Sequence, residues 1–298
     1  MIKILQAARN SDEWEALVPD DPHYSPAYYR AFGEGQLAVM DGPIGPVIQP
    51  FRHQEGNWIG NAYNYGGPIG PYSSASRYRE EFGEWKNKAG LNERCTLCPF
   101  LMNIHAGHNL ERRDVVLADL TAIKLRTTTR HMVEKALRAK AKVNFFGADD
   151  LTYVTEFEQM YQTAMSRKKA REHWVYPDGF FYKVLKELGP KRSALVITSL
   201  GDMIESGCLL IFNDKICYYH WAATHGIKRD SGANHFQVSS VMNWAQEQGM
   251  SYVHLGGGLT PEKDSLWTFK SGFSPITRTV FTYATNCKKV DHDRNDSC

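Results

Sequence analysis

The 298-residue chain is short of three things: cysteine, net charge, and any long apolar run. No stretch approaches the roughly 18 consecutive apolar residues of a membrane-spanning helix. The first ten residues, MIKILQAARN, have no apolar segment long enough for a secretory leader. A cytoplasmic chain with no membrane partner is therefore expected. The six cysteines are few for this length, and two of them, Cys208 and Cys217, sit in apolar strand-like runs. That usage suits reduced thiols better than a disulfide framework. Thirty-five Lys and Arg against 33 Asp and Glu leave a formal charge of only +2, which excludes a polycationic DNA packager or a polybasic membrane binder. Any nucleic-acid contact has to be local. What the chain does have is 42% hydrophobic and 12% aromatic residues, enough for a large core and aromatic-lined grooves. Its length corresponds to about two domains or one large one.

The first hundred residues read as short strands and loops, with strands at 36–40 and 46–51 and a Gly, Tyr and Asn-rich run from Asn57 to Tyr72. Beyond Val115 the pattern changes. A strand at 115–120 precedes a basic helix over about 127–141 and a second helix over about 150–167. Strands at 193–200 and 203–212 flank a tight turn at Gly201-Asp202, and a third strand covers 215–223, which makes an antiparallel meander. A helix over 235–247 stops at Gly249, a strand at 251–255 runs into Gly256-Gly-Gly258, and Asp264 is placed to cap a short helix before a last strand at 276–283.

The segment from His254 to Pro275, HLGGGLTPEKDSLWTFKSGFSP, resembles the C-terminal signature of the Fem-type aminoacyltransferases and their acetyltransferase-like relatives. Three further segments agree in order: Pro26-Ala-Tyr-Tyr, Tyr63-Asn-Tyr-Gly-Gly-Pro-Ile-Gly70, and the helix Arg130-His-Met-Val-Glu-Lys-Ala136. The resemblance implies an α+β chain of two tandem acetyltransferase (GNAT)-like domains, each a mixed, mostly antiparallel sheet flanked by helices, with an interdomain cleft. The first would span 1–113 plus a returning strand at 276–286, the second 114–275, and 287–298 would form a tail.

The same resemblance implies an amide-forming enzyme that moves an aminoacyl group from aminoacyl-tRNA to an amine on a small metabolite or peptide, with no further cofactor. Such aminolysis needs an electrophilic carbonyl held against the amine, a stabilised oxyanion and a route for one proton. The family places the lysine of the matching Phe-Lys pair beside the reacting ester. Lys270 is thus the expected catalytic residue, with Phe269 packing on the donor. Around the acceptor and donor ends the expected substrate-binding residues are Tyr65, Tyr219, His220, Trp221, Asn234, Trp174 and Tyr176. Tyr176 precedes Pro177 where members that bind cell-wall precursors tend to carry arginine, so a smaller amine gains weight as the acceptor. His220 and His254 are secondary proton acceptors.

A charged-tRNA partner asks for local basic surface. Between residues 120 and 192 fifteen Lys and Arg face eight Asp and Glu, and Arg126, Arg130, Arg167, Lys168 and Lys169 are the expected tRNA contacts, a solvated helix face being the plain alternative. The competing donor is acyl-coenzyme A. Coenzyme-A enzymes of this fold carry a Gly-rich pyrophosphate loop where this chain reads Arg229-Asp-Ser-Gly232-Ala-Asn234. Asp230 and Asn234 depart from that pattern, and Asn234 could instead cap the next helix. A catalytically silent binding module of the same fold is the third reading. Cys95-Thr-Leu-Cys98 with His105 and His108 has zinc-type ligands at uncommonly short separation, so no metal is expected. Gly256-Gly-Gly258 lacks dinucleotide-fingerprint spacing.

Overall fold

The computed structural model describes residues 1–101, 103–104, 110–170, 174–226, 231–259 and 263–285. Contacts divide the chain into two compact units, Met1–Arg113 with the residues from Thr279 onward, and Asp114–Arg278.

In the first unit, strands β1 (Lys3–Gln6), β2 (Gln36–Met40), β3 (Val47–His53), β4 (Trp58–Gly60), β5 (Asn92–Thr96) and β12 (Thr277–Ala284) lie side by side in that order. All neighbours are antiparallel except β4 and β5. The expectation of strands and loops alone is corrected here. Helices α1 (Ser11–Leu17) and α2 (Pro26–Ala31) enter early, and α3 (Ala75–Lys88) fills 14 residues between β4 and β5. Its buried positions, Ala75, Tyr78, Phe82 and Lys86, recur at three and four residues, so the helix has an inward face. That face hides in the sequence because the other ten residues are mostly polar and one inward position is a lysine. Tyr78, Phe82 and Trp85 stack along it against Phe51.

One buried polar cluster ties this unit together. Glu93, on the inward side of β5, accepts from Lys86 of α3, from Gln49 of β3 and from the Tyr283 hydroxyl of β12. The Tyr78 hydroxyl in turn donates to Gln49 Oε1 at 3.1 Å. Burial and the nearby Glu93 carboxylate push the Tyr78 and Tyr283 hydroxyls well above the usual phenol range, so both stay protonated donors.

In the second unit the strand order is β6 (Leu110–Asp119), β11 (Tyr252–Gly256), β10 (Ile216–Thr224), β9 (Met203–Phe212), β8 (Ser193–Leu200) and β7 (Ala141–Phe146). The meander β8-β9-β10 is antiparallel, whereas β10 and β11 are parallel and joined through helix α7 (Ala233–Glu247). Alternation assigns the two faces. Val196, Cys208, Leu210, Cys217 and Tyr219 pack with Val238, Val241 and Met242 of α7. The intervening positions meet α5 (Leu151–Arg167) and α6 (Phe180–Leu188): a β-carbon at Gly207 of β9 would sit 2.6 Å from Phe157 of α5. β7 carries no clear alternating pattern in the sequence. It forms because its six residues, 141–146, pair in register with β8 from Ala141↔Leu200 to Phe146↔Leu195.

Helix α4 (Thr127–Arg138) packs beside α7. Gly232, with φ +78°, is the residue before α7, and a β-carbon there would fall 2.2 Å from the Met132 carbonyl oxygen of α4. Left-handed backbone and lack of space both demand glycine. Gly232→Ala is therefore expected to lower unfolding free energy by about 2 kcal/mol or more, read by urea denaturation; a loss under about 0.5 kcal/mol would show that α4 and α7 separate easily.

Candidate active site

The second unit carries every expected site residue except Tyr65. β10 and β11 pair over only three positions, Ile216↔Tyr252 to Tyr218↔His254. Past that point β11 continues along β6, with a bulge between His254 and Gly256, while β10 runs on beside β9 to Thr224. The two strands thus part towards their C-terminal ends, and just past the end of β11 Gly257 meets the short helix α8 (Ser265–Ser271). Binding crevices in sheets of this type form where parallel neighbours part company.

Lys270 lies on α8. Its Nζ donates to the carbonyl of Gly257, at 2.8 Å, and its charge is felt at the buried Cys208 thiol of β9, where it opposes the upward push of burial. The glycine run explains how an ammonium group fits there. Gly256 has φ +76°, and a β-carbon on it would stand 3.1 Å from Lys270 Nζ; one on Gly258 would stand 2.6 Å from Asp264 Oδ1. The glycines let the strand end approach α8 and its cap. Asp264 holds α8 in place by accepting from the Trp267 and Leu259 amides, as an N-cap carboxylate should.

Phe269, half-buried, meets the His235 ring edge-on at 4.9 Å and Phe273 at 5.3 Å. His235, which no motif in the sequence marks, connects the start of α7 to α8. Desolvation holds its imidazole below the ordinary histidine range, so it is neutral at pH 7. The unfolded chain therefore takes up a proton at this residue before the folded one does, and stability falls as pH drops from about 6.5. His235→Gln should flatten the thermal-melting profile below about pH 6.5; an unchanged acid limb would assign that loss to other groups.

Asn234 is not the cap of α7. Gly232 takes that position, with no side-chain acceptor. Asn234 stands in the first turn, where its Oδ1 accepts from the Tyr219 hydroxyl at 3.3 Å, which also reaches Gln237 Oε1 at 2.8 Å. Gln237 is fully buried and donates to the Val196 carbonyl. Tyr219, raised well above the phenol range by burial, is held as a neutral hydroxyl.

Tyr219, His220 and Trp221 do not act as one patch. A bulge between Tyr219 and Trp221 pairs them with the adjacent residues Leu210 and Leu209, and Tyr219 faces α7 while Trp221 faces the opposite layer. There Trp221, 1% exposed, donates to the Tyr176 hydroxyl at 3.2 Å and packs on Phe180 and Phe181. Tyr176 stacks on Phe180 at 4.1 Å. Trp221 and Tyr176 thus brace the fold. His220, at the bulge, is half-buried with its ring edge-on to Trp221 at 4.0 Å, and Trp174 is half-buried. His254 is buried on β11 beside Tyr218. Tyr65 belongs to the first unit, where it packs edge-on against His23 and burial raises its hydroxyl above the phenol range.

Of the expected cations, Arg126 precedes α4, and its guanidinium reaches Ser271 Oγ at 3.5 Å. Arg130 is exposed in the first turn of α4. Arg167 donates to the His225 and Thr224 carbonyls at 2.7 and 3.2 Å, which ties the end of α5 to the end of β10. Lys168 and Lys169 follow it, exposed. Cys95 donates to Asn61 Oδ1 at 2.8 Å, while His105 and His108 lie outside the described residues, as do Arg229, Asp230 and the tail 287–298. No described helix is long and apolar enough to cross a membrane.

Residues 124–264 match the family model for an acetyltransferase (GNAT) domain. Over 90 residues the chain is 34% identical to a lipid II:glycine glycyltransferase from Staphylococcus saprophyticus, a match taking in 28% of this chain and 22% of that protein. The chain thus aligns with about a fifth of that relative. Among solved structures, FemX superposes with a TM-score of 0.60 at 14% identity, covering 96% of this chain and 98% of that one. The C-terminal domain of an Agrobacterium fabrum protein assigned as a lysylphosphatidylglycerol synthetase superposes with a TM-score of 0.67 at 16% identity, over 94% and 93%. The second unit thus carries a GNAT-type domain over residues 124–264, and the chain as a whole has the fold of FemX and, over 90 residues, sequence similar to a lipid II:glycine glycyltransferase.

Proposed function

We propose that this protein forms an amide bond by transferring an aminoacyl group from aminoacyl-tRNA to the amine of a small metabolite or peptide. The observation that carries the reading is the placement of Lys270: a cation at the glycine-rich end of β11, on a capped helix where the residue before it, Phe269, packs edge-on against His235. The amine nitrogen attacks the ester carbonyl of the donor. A carbon–nitrogen bond forms, the carbon–oxygen bond to the ribose breaks, and the departing ribose oxygen takes up the proton the amine loses. In between, negative charge develops on the carbonyl oxygen, and a fixed ammonium near it lowers the barrier. Phe269 gives the donor's end an apolar wall. The relatives named for glycyl and lysyl products support an aminoacyl donor.

The second reading is acyl transfer from coenzyme A. It is favoured by the GNAT family match and by α7, whose N-cap is a glycine and whose N-terminal amides could meet a pyrophosphate. Incubating the protein with a pool of charged tRNA and amines, and separately with acetyl-coenzyme A, with mass spectrometry of new amides, separates the two. Amide formed only with charged tRNA is the expected result; product only from the thioester would overturn it.

A further inference from the structure

Beside α8 lies an open groove of about 570 Å³, lined by Lys124, Leu125, Arg126, Lys263, Trp267, Thr268, Ser271, Pro275 and Thr277. Among the described residues that line it, three are cations and none is an acid. In a chain with 35 cations and 33 anions, that segregation marks the groove out. Lys124, Arg126 and Lys263 are all exposed, and Lys263 lies over the Trp267 ring at 5.6 Å. The hydroxyls of Thr268 and Ser271 add short hydrogen-bonding groups, and Arg126 already leans on Ser271. The adjacent carboxylate, Asp264, is committed to backbone amides of α8 and the preceding loop and does not neutralise the groove.

Trp267, Thr268 and Ser271 occupy one side of α8, and Lys270 projects from another. The groove and the candidate catalytic lysine thus lie on neighbouring sides of one short helix. We propose that the groove is a phosphodiester-binding track, in which Lys124, Arg126 and Lys263 hold the backbone of an RNA strand whose 3′ end rounds α8 to reach Lys270. This proposal rests on the aminoacyl-tRNA reading and adds to it the path of the strand. Compact, flexible ammonium groups and one forked guanidinium suit successive phosphates. A groove of cations and hydroxyls, with no carboxylate or amide side chain among its described lining residues, suits backbone contact without sequence readout.

The test uses the full chain and an uncharged fluorescein-labelled RNA hairpin ending in single-stranded CCA, with binding followed by fluorescence anisotropy across a salt series. Each cation in contact with a phosphate steepens the slope of log affinity against log salt by about 0.7 for a single strand. The triple variant Lys124→Ala/Arg126→Ala/Lys263→Ala should therefore lose about 2 from that slope and bind at least about tenfold more weakly at low salt. Each single variant should lose about 0.7. The single variants keep the result readable if the triple variant melts early. Binding by the wild type with an unchanged slope in every variant would overturn the groove while leaving the RNA donor standing. No RNA binding by the wild type would overturn both.

Discussion

Replacing Lys270 by alanine is expected to lower the rate of amide formation by about 10² to 10³, with most of the loss in kcat. The reason is geometric. The ammonium group is held at the end of β11 by the Gly257 carbonyl, on a helix whose N-terminus is pinned by Asp264. A charge fixed before the reaction stabilises the oxyanion without reorganising in the transition state, so its removal is felt in turnover more than in binding. Lys270→Arg should recover only part of the rate, because a planar, forked guanidinium does not replace a compact ammonium in space bounded by Gly256 and Gly257. Retained melting temperature together with lost turnover is the signature to look for; near-normal turnover in the alanine variant would remove Lys270 from the mechanism.

The largest expected effect on stability lies in the first unit. Glu93→Ala leaves the Lys86 ammonium, whose side chain is 8% exposed, without the carboxylate that faces it, and takes the acceptor from Gln49 and Tyr283. Breaking a buried ion pair from one side costs about 3–5 kcal/mol. For a unit of this size, each kcal/mol moves Tm by about 2–4 °C, so a drop of about 10 °C is expected by calorimetry. The double variant Lys86→Met/Glu93→Leu should recover much of the loss, since removing both charges also removes their desolvation penalty. A double variant as unstable as the single one would mean that the hydrogen bonds to Gln49 and Tyr283 matter more than the charge pair.

The second unit was largely legible in the sequence because its strands obey simple alternation and its helices carry plain stops. The meander 193–200, 203–212 and 215–223 corresponds to β8, β9 and β10 within one residue, and Asp264 caps α8 as its position suggests. The first unit was less legible. Helix α3 presents a lysine inward, and β5 presents a glutamate, so the inward residues that hold them break the apolar pattern by which elements are recognised. Charged residues become core residues only when their partners arrive, and Glu93 and Tyr283 are 190 positions apart.

The candidate site divides in the same way. The sequence by itself determined the signature from His254 to Pro275, the Lys270–Phe269 pair, the glycines before it and the capping aspartate, because these are local and lie within 22 residues. Only the tertiary structure decided which other side chains join them. A bulge of one residue in β10 sends Tyr219 towards α7 and Trp221 into the opposite layer, where strict alternation would have kept them together. The approach of α7 to α8 brings in His235, and the lean of α4 against α8 brings Arg126 beside Ser271. Periodicity along a chain specifies which face a residue occupies. Which residues from distant elements meet on that face is set by packing, and packing depends on the whole chain.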